Sequence, residues 1–154
     1  MPRLIPLLAA QPLSRTIAES FVAERIPPLM ERHQQSLELL RQRAECKNGT
    51  LFFDITDQQM EGYNKFVPYY LHPQSVYSIG LSRSSFRVKV SVGSNPWAHK
   101  ENMVNLAAIC ERYGGGGHAR VGAISFAPDQ LEHAQQVARE IVAELRAHGG
   151  SAGL

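Results

Sequence analysis

Apolar positions recur along the chain at two spacings. Leu131, Ala134, Val137, Ala138, Ile141, Val142 and Leu145 fall three or four apart, a continuous helical face opened by Pro128 and closed by His148, Gly149 and Gly150. Phe86, Val88, Val90 and Val92 alternate with polar residues, which predicts a strand with one apolar face. Residues 76–81 alternate more loosely and join that strand through Ser82, Arg83, Ser84 and Ser85, a linker short enough for a hairpin. Leu51, Phe52, Phe53 and Ile55 predict a short buried strand, and residues 121–126 a strand of small residues. Met103, Leu106, Ala107 and Cys110 place a helix over 103–113, and residues 59–71 a helix broken near Pro68. Upstream, residues 14–45 predict a helix in two pieces, because Pro27 and Pro28 interrupt it. Pro28 can open the second piece, whose Met30, His33, Leu37, Leu40 and Ala44 form a one-sided stripe. The predicted architecture is α/β: a mixed sheet flanked by helices, preceded by a broken connector helix. Residues 1–46 are the tail and connector, and residues 47–150 the domain.

Composition narrows this only slightly. Of 154 residues, 44% are hydrophobic and 19% charged, a globular balance that excludes wholesale disorder. A net charge of +2 neither requires nor excludes a nucleic-acid partner. Cys46 and Cys110 form no CxxC pair and read as free thiols, which points to a reducing, cytoplasmic setting. No apolar run reaches the roughly 18–20 residues of a membrane span. Arg3 followed by Leu4, Ile5, Leu7 and Leu8 imitates an export signal, but Pro6 and Pro12 interrupt it; a short packing tail is expected.

Candidate chemistry is concentrated at Gly114, Gly115, Gly116, Gly117 and His118. Four successive glycines are entropically expensive to order. They also allow backbone N–H groups to converge on an anion, with the following histidine donating to the same oxygen. The same residues would equally make a tight turn in which Tyr113 and His118 pack. No Gly-Lys-Ser/Thr follows, so this is not a Walker loop, and its late place after a helix excludes the dinucleotide fingerprint. Arg120 could neutralise phosphate. Asn95 and His99, in the loop after the alternating strand, are further candidates to line a cleft. Trp97 in that loop reads as packed against the sheet, with base stacking as the rival role. Arg83, Arg87 and Lys89 form a small basic group read as a solvated face.

Residues 113–122, Tyr-Gly-Gly-Gly-Gly-His-Ala-Arg-Val-Gly, resemble the glycine-histidine motif of the type 1 DHH-associated domain, the C-terminal lobe of DHH phosphoesterases. Asn64, Lys65 and Phe66, His72 and Pro73, residues 90–93, and Asn105 and Leu106 extend the likeness to exopolyphosphatase-like members, over about residues 50–146. The resemblance implies a substrate-binding lobe that grips a phosphate of a nucleotide, a short oligonucleotide or a related phosphoester. It implies a partner DHH lobe holding manganese or magnesium. No Asp-His-His occurs here, and Asp54 and Asp57 read as strand-end and turn residues, so no catalytic or metal-ligating residue is assigned. Some members carry an arginine where this chain has Gly93 and Ser94. The expected function is phosphate binding by Gly114, Gly115, Gly116, Gly117, His118 and Arg120, without hydrolysis by this chain alone. Two rivals are a single-stranded nucleic-acid-binding module, and a module dimerising through the helix over 28–45.

Overall fold

The computed structural model describes residues 3–59, 63–98 and 102–148. They divide into two units, Met1–Leu37 and Glu38–Leu154. The first holds helices α1 (Leu4–Ala10), α2 (Leu13–Ala18), α3 (Ser20–Ala23) and most of α4 (Ile26–Arg43). Pro27 and Pro28 stand in the first turn of α4, where a missing N–H removes no intrahelical bond, so the predicted break is a helix start. The short tail expected to pack at the N-terminus forms helix α1, none of whose residues is buried.

The second unit is built on one six-stranded sheet in the order β1-β2-β3-β4-β6-β5. Its strands are β1 (Glu45–Lys47), β2 (Thr50–Gln59), β3 (Tyr77–Arg83), β4 (Val88–Ser94), β5 (Gly116–His118) and β6 (Val121–Phe126). Only β2 and β3 pair in parallel; every other neighbouring pair is antiparallel. The sheet is therefore mixed, as the pattern predicts. β1 and β2 turn through Asn48 (φ 49°) and Gly49 (φ 70°), the two left-handed residues of a type I′ hairpin.

Helices α5 (Val67–Leu71), α6 (Leu106–Glu111) and α7 (Leu131–His148) complete the unit. The alternation of β4 decides which face α6 and α7 cover. Val88, Val90 and Val92 are buried against Ile124, Leu106, Ile109, Ala138, Ile141 and Leu145. Lys89 and Ser91, on the opposite side, are only half-buried. β3 is buried on both faces over its first five residues, because Tyr63 and Tyr69 cover its second face. Gly80 is required there: a Cβ would overlap the Phe53 ring and the Tyr63 hydroxyl. The sheet is thus two-sided at β2, β3 and the end of β4, and open on one side at the start of β4 and at β6 and β5.

Several predicted elements change. The strand from residue 51 runs to Gln59, and only Val67–Leu71 of the predicted 59–71 helix is helical, with Pro68 in its first turn; residues 60–62 lie outside the described residues. Phe86 is not on the strand face: the amide of Ser84 donates to the Arg87 carbonyl (2.9 Å), so the turn extends to Arg87 and leaves Phe86 63% exposed. The helix placed at 103–113 is confined to Leu106–Glu111, because Asn105 caps its start and Gly114 ends it. Cys110 lies fully buried in the core, as its place on the apolar helix face predicts, and burial pushes its thiol pKa up.

Candidate anion-binding groove

The four glycines do two different jobs. The amide of Gly115 donates to the Cys110 carbonyl (2.9 Å) and that of Gly114 to the Glu111 carbonyl (3.1 Å). With Gly114 at φ 75°, this is the Schellman ending of α6. Two amides of the run thus satisfy the helix terminus. Gly116, Gly117 and His118 are strand β5, paired with Ala123, Gly122 and Val121. Glycine lets this strand lie close. A Cβ on Gly115 would overlap the Ala123 carbonyl, and one on Gly117 the Val121 carbonyl. A Cβ on Gly122 would stand 2.5 Å from Cys110 Sγ. Gly116 differs: a Cβ there would meet nothing within 4 Å. β5 is also an outer strand of the sheet, with one neighbour among the described residues. Its free side offers backbone donors and acceptors.

In front of Gly116 and Gly117 a groove of about 470 Å³ crosses the open sheet face towards the β3–β4 turn. Among the described residues, Lys65, Arg83, Arg87 and Lys89 line it, with Tyr63, Phe86, Ser82, Ser84 and Ser91, and no Asp or Glu of the described residues does. None of those four cations is among the ion pairs of the described residues. Arg87 donates to Ser125 Oγ at 3.4 Å and lies over the Phe86 ring, and Arg83 donates to the Pro128 carbonyl at 3.3 Å. These four cations, with no carboxylate of the described residues between them, give the groove a local positive field, although the whole chain is near neutral. Burial pushes the Tyr69 phenol up to about 12, and pushes that of Tyr63, bonded to Ser91, higher still.

The predicted site residues separate. Gly116 and Gly117 line the groove, and Gly114 and Gly115 stand behind it as the helix end. His118 is exposed at the end of β5, and Arg120 is exposed in the turn that follows. That turn is pinned: the Arg120 carbonyl accepts from the amide (3.0 Å) and the hydroxyl (3.1 Å) of Ser94, and the Ala119 carbonyl from the Leu106 amide (3.0 Å). Asn95 is buried. Its Nδ2 donates to the carbonyls of Pro73 (3.1 Å) and Ser75 (2.8 Å), and its Oδ1 accepts from the Trp97 amide (3.0 Å). Those bonds occupy its amide in holding the loop. His99 lies outside the described residues. Trp97 is not packed on the sheet; it is 64% exposed, with its ring against Phe66.

Sequence reasoning named Lys65 only in the resemblance, placed neither it nor Ser91 at a groove, and read Arg87 and Lys89 only as a solvated face. The alternation of β4 already puts Lys89 and Ser91 on one side. Nothing in the sequence places Lys65, from the β2–β3 crossover, beside them. Among the described residues no group of three or more His, Cys, Asp or Glu side chains could hold a metal ion, so these residues do not fit a manganese or magnesium centre. No helix of the described residues is long and apolar enough to cross a membrane.

No protein-family model matches the sequence, and no curated protein matches it. Solved structures do match its fold. A pGpG-specific phosphodiesterase, PggH, from Vibrio cholerae superposes with a TM-score of 0.75 at 22% identity, covering 90% of this chain and 47% of that one. An exopolyphosphatase-related protein from Bacteroides fragilis gives 0.54 at 15% identity, covering 76% of this chain and 36% of that one. The DHH domain of a protein assigned to a family of ribosomal proteins gives 0.52 at 13% identity, covering 84% and 34%. The chain spans less than half the length of each. The likeness is one of fold, to part of DHH-family phosphoesterases.

Proposed function

We propose that this chain is the DHH-associated, substrate-binding part of a DHH-type phosphoesterase, and that it holds a phosphate of a nucleotide, short oligonucleotide or related phosphoester. The observation that carries this is the groove on the open sheet face, lined among the described residues by four cations and no carboxylate, in front of Gly116 and Gly117 of β5. Gly116 leaves room for an anion to reach the β5 backbone. His118 and Arg120 stand at the end of the same strand and donate to phosphate oxygens. Lys65, Arg87 and Lys89 neutralise its charge across the groove. The likeness to part of a pGpG-specific phosphodiesterase supports the phosphoester class. Binding here orients the ester. In this reading the chain supplies substrate binding, and a DHH lobe holding manganese or magnesium supplies the hydrolysis.

The test is an amide NMR titration with a 5′-phosphorylated diadenylate and, separately, with tripolyphosphate. Shifts are expected at residues 114–120 and at Lys89 and Ser91. A hydrogen bond to a charged group contributes roughly 1.5–3 kcal/mol, so His118→Ala is expected to weaken binding by about tenfold or more. The absence of any shift at these residues at millimolar ligand would sink the proposal. Self-association through residues 28–45 is a second reading, favoured by the exposure of Leu29 and Met30 on α4. It requires a molar mass that rises with concentration in light scattering.

A further inference from the structure

Trp97 and Phe66 form a solvent-facing aromatic pair, with ring centroids 5.5 Å apart and planes at 61°. Exposed single aromatics are ordinary; a paired and anchored one is not. The backbone beside Trp97 is held by buried Asn95, whose side chain bonds Pro73, Ser75 and the Trp97 amide. The pair also has a defined neighbourhood. Ser94 binds the Arg120 carbonyl through its amide and its hydroxyl, which sets the 94–97 turn beside the His118–Arg120 turn. Lys65 joins the pair to the groove: it lines the groove, and its Nζ lies 5.1 Å from the Phe66 ring centroid.

A flat apolar surface therefore stands beside Lys65, one of the cations that line the groove. A ligand complementary to both carries a planar aromatic group and an anion within one molecule. We infer that Trp97 and Phe66 are the seat of a nucleobase, so that the phosphoester held in the groove is a nucleotide or short oligonucleotide and not bare polyphosphate. This rests on the phosphate-binding role proposed above. The base stacks on the Trp97 ring, with Phe66 supporting that ring edge-on. Stacking tolerates any base, so the seat selects for nucleotides without selecting sequence.

Trp97 is the only tryptophan of the chain, so its fluorescence reports on this seat alone. The whole chain is titrated with 5′-phosphorylated diadenylate and with tripolyphosphate, while amide shifts of residues 116–118 are followed in parallel. Both ligands are expected to shift those amides, but only the diadenylate to quench Trp97. Trp97→Ala is expected to weaken the diadenylate about tenfold and to leave tripolyphosphate binding unchanged. Phe66→Leu repeats the test with Trp97 in place. Amide shifts by the diadenylate without quenching, or equal quenching by both ligands, would overturn the base seat and leave the phosphate site standing. Quenching by the diadenylate alone, with no amide shift from either ligand, would support the seat and remove the phosphate site. Silence of both probes would remove both.

Discussion

At the scale of single residues, neighbouring glycines have opposite meanings. Gly115 faces the Ala123 carbonyl at a distance no Cβ tolerates, and Gly116 faces open space. Gly115→Ala is therefore expected to lower stability by about 1–3 kcal/mol, the usual penalty of overpacking, seen as a lower urea midpoint. Gly116→Ala is expected to stay within about 0.5 kcal/mol of the parent in the same measurement, while weakening phosphate binding by crowding the groove. The sequence displays four equivalent glycines at this point. Their division between a helix end and a strand was not legible, because it depends on what each absent Cβ would meet. Asn95 teaches the reverse lesson. Its type and its place beside proline suit a turn or a cleft equally, and burial among three hydrogen bonds gives it to the turn.

At the scale of elements, long periodic segments were legible and short ones were not. The eighteen-residue α7 and the alternating strand β4 declare themselves through their own side chains. β1 and β5 have three residues each and are strands only because β2 and β6 pair with them. The Asn48-Gly49 pair did carry the type I′ signal that could have revealed β1. Helix α6 has six residues, too few to hold without a cap. Asn105 Oδ1 accepts from the amides of Ala107 (3.1 Å) and Ala108 (3.3 Å). Asn105→Ala is expected to cost about 1 kcal/mol and to raise amide exchange through α6 and into Gly114 and Gly115, whose amides depend on its last carbonyls.

At the scale of the whole molecule, the open half of the sheet is the consequence of how its other half is covered. Tyr69 fills the space over Gly93, where a Cβ would stand 2.7 Å from its hydroxyl, and Tyr63 fills that over Gly80. Both phenols are neutral when folded, and burial raises their pKa above the unfolded value of 10.0, to about 12 for Tyr69. The unfolded chain therefore loses these protons first. The stability linked to them is complete below pH about 10 and falls as pH rises towards 12. Urea midpoints measured across that window are expected to decline, and Tyr69→Phe to flatten the decline. The sequence by itself determined the α/β class, the apolar face of α7, the alternation of β4 and the start of α4 at its prolines, since each follows from the spacing of side chains within one segment. It also marked residues 113–122 as the place to look for chemistry. Only the tertiary structure decided that Lys65 shares a groove with Lys89 and Arg87, that two glycines are strand, and that Trp97 faces solvent. Those facts depend on which distant segments the sheet brings together, and no local spacing encodes them.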